Sequence, residues 1–158
     1  MTNVSNLSVP QTPRSDWEIQ AETQAARETE VFSLNKGVLF IALALVGITT
    51  VTVTFDGYGD SGQIEDVQAR ADDDNITIPQ TQMDFAEAIW GEQEPRRSLV
   101  SLSSAIESLA YAALEQTHSG WENNDGAYGD IVFDVAAQTI TLDYNERYTA
   151  SENHSHIF

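Results

Sequence analysis

A chain of 158 residues is the size of one domain, and its 41% apolar content is enough for a core, which excludes a disordered chain. Lys and Arg total 7 against 25 Asp and Glu, a formal charge of −18. Such a surface repels a phosphate backbone, whose binding depends on cations, and so disfavours a DNA or RNA ligand. With no cysteine the chain forms no disulfide, Cys-ligated zinc site, iron–sulfur cluster or thiol nucleophile, a composition that fits a reducing cytoplasm.

Residues 1–14 carry Ser, Asn, Thr and two prolines without an apolar period, and read as a flexible tail before a single α+β domain over 15–158. The start is too polar for a secretory signal. Ser15 or Asp16 caps a predicted helix running to about Val31, with Glu18, Glu22, Glu28 and Glu30 on a solvated face. Ser33-Leu34-Asn35 is expected to break and recap the chain. A second helix then covers about Lys36 to Val46, and Gly47 fits the position after a helix end. The apolar run Val38 to Val46 is too short to span a bilayer and reads as buried helix.

Residues 48–55 alternate, with Val51, Val53 and Phe55 on one face and Thr50, Thr52 and Thr54 on the other, the pattern of a half-buried strand. A Gly/Asp loop over 56–62 leads to a returning strand over 63–69. Asp72-Asp73-Asp74-Asn75 is a solvated turn, and Ile76-Thr77-Ile78 a short edge strand ended by Pro79. Residues 80–97 read as irregular, with a helical turn near Phe85 to Trp90. The clearest helix covers about Leu99 to Thr117, where Leu102, Ile106, Leu109, Ala110, Ala113 and Leu114 form one stripe. A second hairpin follows: Ile131, Phe133 and Val135 alternate on one strand and Ile140, Leu142 and Tyr144 on the next, around Ala136-Ala137-Gln138. The predicted architecture is therefore two N-terminal helices, then hairpin–helix–hairpin. The hairpins form a four-stranded antiparallel sheet with the helices on one face.

The carboxylates are unevenly spread. Residues 56–95 hold eleven of them and a single Arg. The first loop contributes Asp56, Tyr58 and Asp60, the returning strand Glu65 and Asp66, and the following turn Asp72, Asp73 and Asp74. The loop over 120–130 contributes Trp121, Glu122, Asp125, Tyr128 and Asp130. Should the two loops share one end of the sheet, Asp56, Asp60, Glu65, Glu122, Asp125 and Asp130 gather into one acidic cluster. That cluster has two uses: presenting phosphate-like charge to a basic groove, or holding Mg²⁺ or Mn²⁺ for hydrolysis. The loop over 56–67 does not match a calcium-binding EF-hand, because Tyr58 and Val67 occupy ligand positions. Trp121 and Tyr128 suit interface anchoring, though Trp121 equally suits the core beneath the sheet. No nucleophile elbow and no Gly-rich phosphate loop is present. His118 falls at a helix end, and His154 and His156 fall in the C-terminal tail.

The stretches FDGYGDSGQIE (55–65) and HSGWENNDGAYGDIVFDVAAQTITLDYNERY (118–148) resemble an uncharacterised bacterial family, a domain of unknown function found mainly in proteobacteria and often on plasmids and other mobile elements. The resemblance runs from about Asn35 to Phe158. It implies no established activity, cofactor or catalytic residue. Its context suggests counter-defence, of the anti-CRISPR or anti-restriction type. The sequence thus leads to a cytoplasmic, non-enzymatic binding protein without cofactor, catalytic or metal-binding residues. Its expected partner is a protein with a basic surface, such as a CRISPR effector or restriction complex, with no direct nucleic-acid or membrane contact. The alternatives are a metal-dependent hydrolase on the acidic loops and a plasmid accessory protein without inhibitory role.

Overall fold

A computed structural model describes residues 14–59, 61–123 and 125–158. The predicted tail over 1–14 falls outside this range except for Arg14, which is exposed and ion-paired with Glu22. The first element is a single helix, α1 (Asp16–Leu45). Ser15 is its N-cap: the Ser15 hydroxyl accepts the Glu18 amide at 3.1 Å, satisfying one orphan donor of the first turn.

The predicted break at Ser33-Leu34-Asn35 does not occur, and two helices are corrected to one. Asn35 does not recap the chain because its amide is committed elsewhere. It is buried, donates to Ala86 O at 2.8 Å and accepts from Ala86 N at 2.9 Å. One side chain thus satisfies both backbone groups of a strand residue, removing any gain from bending the helix. The apolar run is only half buried. Leu39, Phe40 and Leu43 enter the core, while Ile41 and Leu45 face outward. Among the described residues no helix is long and apolar enough to cross a membrane.

The strands are β1 (Thr50–Tyr58), β2 (Ser61–Ala71), β3 (Asp74–Ile76), β4 (Gln82–Glu87) and β5 (Arg96–Ser101). After α2 (Leu102–Thr117) come β6 (Ala127–Asp134) and β7 (Thr139–Glu146). The main sheet has five antiparallel strands in the order β3-β2-β1-β6-β7, not four, and β4 and β5 form a separate hairpin. Residues 80–97, predicted irregular, are corrected accordingly. Met83 and Phe85 do alternate, but Ala86 beside them is buried too, and Met83, Phe85 and Ala86 fit a helical turn equally well. The loop predicted over 56–62 is mostly strand: Asp56 pairs with Gln63 and Tyr58 with Ser61. The helix predicted from Leu99 starts at Leu102, with Ser101 as its N-cap, since residues 99–101 close the β4–β5 ladder.

Strand alternation fixes which side of the sheet is dry. Val51, Val53, Phe55, Ile131 and Phe133 are fully buried on one side, together with Leu39 and Leu43 of α1 and Ile106 and Leu109 of α2. Each such side chain contributes about 1.5–3 kcal/mol. Thr50, Thr52, Thr54 and Asp56 occupy the other side, which no helix of the described residues covers.

A candidate protein-interaction face

The uncovered side of the sheet is built by register. Thr54 of β1 lies between Asp66 of β2 and Asp130 of β6, and Asp130 lies opposite Asp143 of β7. One row across four strands therefore reads Asp, Thr, Asp, Asp, at the roughly 4.8 Å spacing of adjacent strands. Asp130 and Asp143 are a directly opposed like-charge pair, an arrangement that costs stability. The Thr54 hydroxyl donates to Asp130 Oδ1 at 2.9 Å and holds that carboxylate in place. Toward the hairpin end, Asp56 lies beside Tyr128, and Tyr128 opposite Asn145. The ladder slips between Thr54 and Phe55, so Glu65 is the extra residue of a bulge. Gln63 donates to Glu65 at 3.2 Å.

One cation organises this end. The Arg147 guanidinium donates to Asp56 Oδ1 at 2.8 Å and to Gly57 O at 3.2 Å, and lies 4.6 Å over the Tyr128 ring. Thr54, Asp56, Glu65, Tyr128, Asp130 and Arg147 are among the residues lining a shallow, open depression of about 290 Å³. The carboxylates of Asp56, Glu65 and Asp130 in its lining suit a protruding basic side chain. Among the described residues no three carboxylates or imidazoles converge as a metal-ligand set.

Of the predicted site residues, Asp56, Glu65, Asp66, Tyr128 and Asp130 come together here. Tyr58, 74% exposed, ends β1 on the same side by alternation. Asp60 lies outside the described residues. Asp72, Asp73 and Asp74 are exposed at the β2–β3 turn, beside the Thr50 end of β1. That places them about 25 Å from the hairpin end, by strand rise. Asp125 is near the Asp56 end and accepts the Thr149 hydroxyl at 2.9 Å.

Trp121 is 5% exposed, and of its two readings the structure shows the core one. Its ring meets Phe55 edge-on at 5.5 Å and lies on Gly57 and Gly62, where an added Cβ would stand 2.5 Å from ring carbons. Those two glycines of the first motif exist for the tryptophan of the second. Gly126, at φ +81°, passes so close to β1 that a Cβ there would fall 1.8 Å from Gly57 O. Glu122 follows Trp121 down, and its Oε2 is buried with no hydrogen-bond partner among the described residues.

These contacts explain why the two motifs are long and specific: they pack against each other. The sequence model of a family of unknown function (DUF6878) matches residues 31–158. The chain belongs to this family. No curated protein and no solved structure matches it.

Sequence reasoning missed Asp143, Asn145 and Arg147. Asp143 and Asn145 alternate with Leu142 and Tyr144, so they were visible as the outward side of a strand. Only the register places Asp143 opposite Asp130. His118 does end α2, and its ring stacks on Tyr144 at 3.6 Å. Burial first, then the carboxylates of Glu146 and Glu122, push the Tyr144 phenol above its ordinary range. His154 and His156 are exposed in the C-terminal tail.

Proposed function

We propose that the chain is a non-enzymatic binding protein that lays the open face of its sheet on a basic, nucleic-acid-binding surface of a partner protein. The observation that carries this reading is the cross-strand row Asp66, Asp130 and Asp143. Carboxylates on a rigid sheet are fixed in space, unlike those on loops. An opposed Asp pair gives up stability that a purely structural strand pair would keep. A surface of this sign speeds encounter with a cationic patch and excludes nucleic acid itself. Together with the resemblance to a family of bacterial mobile elements, this favours a cytoplasmic counter-defence role, against a CRISPR effector or restriction complex.

The test is binding to purified effector complexes at low and high salt, comparing the native chain with Asp66→Lys/Asp130→Lys/Asp143→Lys. Binding at low salt that weakens with salt and is lost in the triple variant is the expected result. Binding that survives all three reversals, or none to any effector at low salt, refutes it.

A further inference from the structure

The helix side of the molecule carries an apolar stripe that the monomer leaves open. On α1, Leu34, Ile41 and Leu45 are 41%, 62% and 82% exposed, and Val31 and Val38 between them are half-buried. The positions 31, 34, 38, 41 and 45 follow the three-four spacing of a helix–helix seam. The stripe opens at one end into a cleft of about 360 Å³ between α1 and the β4–β5 hairpin, lined by Val31, Leu34 and Arg97 among others. Leu99, 63% exposed, stands two residues beyond Arg97 on the same side of that hairpin.

Charge says what can cover this stripe. From Val31 to Val46 there is no carboxylate, and the one charged residue is Lys36. Residues 14–45 and 82–101, which hold α1 and the hairpin, carry five of the chain's seven cations against nine carboxylates. All other residues carry two cations against sixteen. Two copies at −18 each repel almost everywhere, and this layer is where they can meet. Leu34, Ile41, Leu45 and Leu99 together expose roughly 450 Å², just over half of the ~800 Å² that each partner buries in a standard interface, so the flanking parts of α1 and the hairpin supply the rest.

We propose that the chain forms a two-fold dimer in which two α1 helices pack antiparallel through this stripe. With the axis at Val38, residues equally distant from it on the two copies meet. Leu45 of one copy then enters the cleft beside Val31 and Leu34 of the other, as a self-complementary interface requires. Both acidic sheet faces stay outward and free.

Sedimentation velocity on the full chain over a range of concentrations tests this. The native chain is expected to be a dimer. Leu45→Glu, at a site exposed in the monomer, should leave the far-ultraviolet circular dichroism unchanged and weaken association roughly 100-fold, because it brings a carboxylate into clefts that already hold Glu30, Glu92 and Glu94. The chain has no cysteine, so Val38→Cys is expected to cross-link to its own copy on mild oxidation, whereas Thr141→Cys on the open face is not. Added salt should strengthen the dimer by screening repulsion, the opposite of its effect on a carboxylate-driven partner. The two ideas therefore fail separately. A native chain that stays monomeric throughout, a dimer untouched by Leu45→Glu, or no cross-link at Val38→Cys would each overturn the proposal.

Discussion

Replacing Trp121 by alanine separates a core role for this residue from an anchoring one, and the structure sets the size of the effect. The ring is 5% exposed, edge-on to Phe55, and supported by Gly57 and Gly62. Removing it takes away about 180 Å² of buried surface, or about 4.5 kcal/mol at 25 cal/mol/Å². Glycines have no side chains that could collapse into the space, so the loss belongs near the upper part of the 3–5 kcal/mol seen for such truncations. At about 2–4 °C per kcal/mol, the melting temperature should fall by about 6–20 °C. Calorimetry or circular dichroism reads this directly. A second substitution sharpens it. Gly62→Ala should be costly in the native chain, where its Cβ meets the ring, and less costly once Trp121 is alanine, when only the Glu122 Cβ at 2.8 Å still stands in its way, giving a coupling energy in a double-mutant cycle. A melting temperature within about 3 °C of the native value, with partner binding lost, would mean that the ring turns outward to act as an anchor, and the packing argument would be wrong.

Asn35→Ala should cost about 1–3 kcal/mol for each backbone group of Ala86 it orphans, visible as a lower urea midpoint, and Asn35→Leu should not restore it. Arg147→Ala removes a pair that is over a third exposed on both sides, so stability should change by less than about 1 kcal/mol. The same change leaves Asp56 unpaired, and association with a basic partner at low salt should be faster, as stopped-flow would show. Tyr144 has its pKa raised by burial, so it favours the folded state below the unfolded phenol pKa near 10 and that contribution is lost as pH rises through the folded value. An ultraviolet phenol titration should contain one late-titrating group that Tyr144→Phe deletes.

Much of the dry side of the fold was legible because strand alternation has a period of two and needs no partner to read. Val51, Val53 and Phe55, then Ile131 and Phe133, then the Leu102–Leu114 stripe, all lie where their spacing puts them. Asn35 defeated the reading of α1. A polar residue after Ser33-Leu34 is a local signal for a break, and what overrides it is a hydrogen-bonded partner 51 positions away. The β4–β5 hairpin was hidden for a related reason. It holds few apolar residues, and on its outer edge Ala86 is satisfied by that same asparagine side chain rather than by another strand.

The functional side follows a different logic. Each carboxylate of the open face is visible in the sequence, but a charged residue on a strand says only that its side is wet. What turns wet residues into a site is register, and register depends on hairpin closure and on the bulge at Thr54/Phe55. That bulge makes Glu65 the unpaired residue and brings Asp66 opposite Thr54. Without the extra residue, Glu65 would take the place opposite Thr54, and Asp66 would shift along β2 to the opposite side of the sheet. The row would then begin with Glu65, and the Asp66 carboxylate would face the dry side, where an unpaired charge is costly. The glycines at 57 and 62 and the tryptophan at 121 sit at the same end of the sheet and pin the hairpin that sets this slip. Within the motifs that mark the family, Gly57, Gly62 and Trp121 thus act on the acidic face through its register, whereas Asp56, Glu65, Asp130 and Asp143 form the face itself.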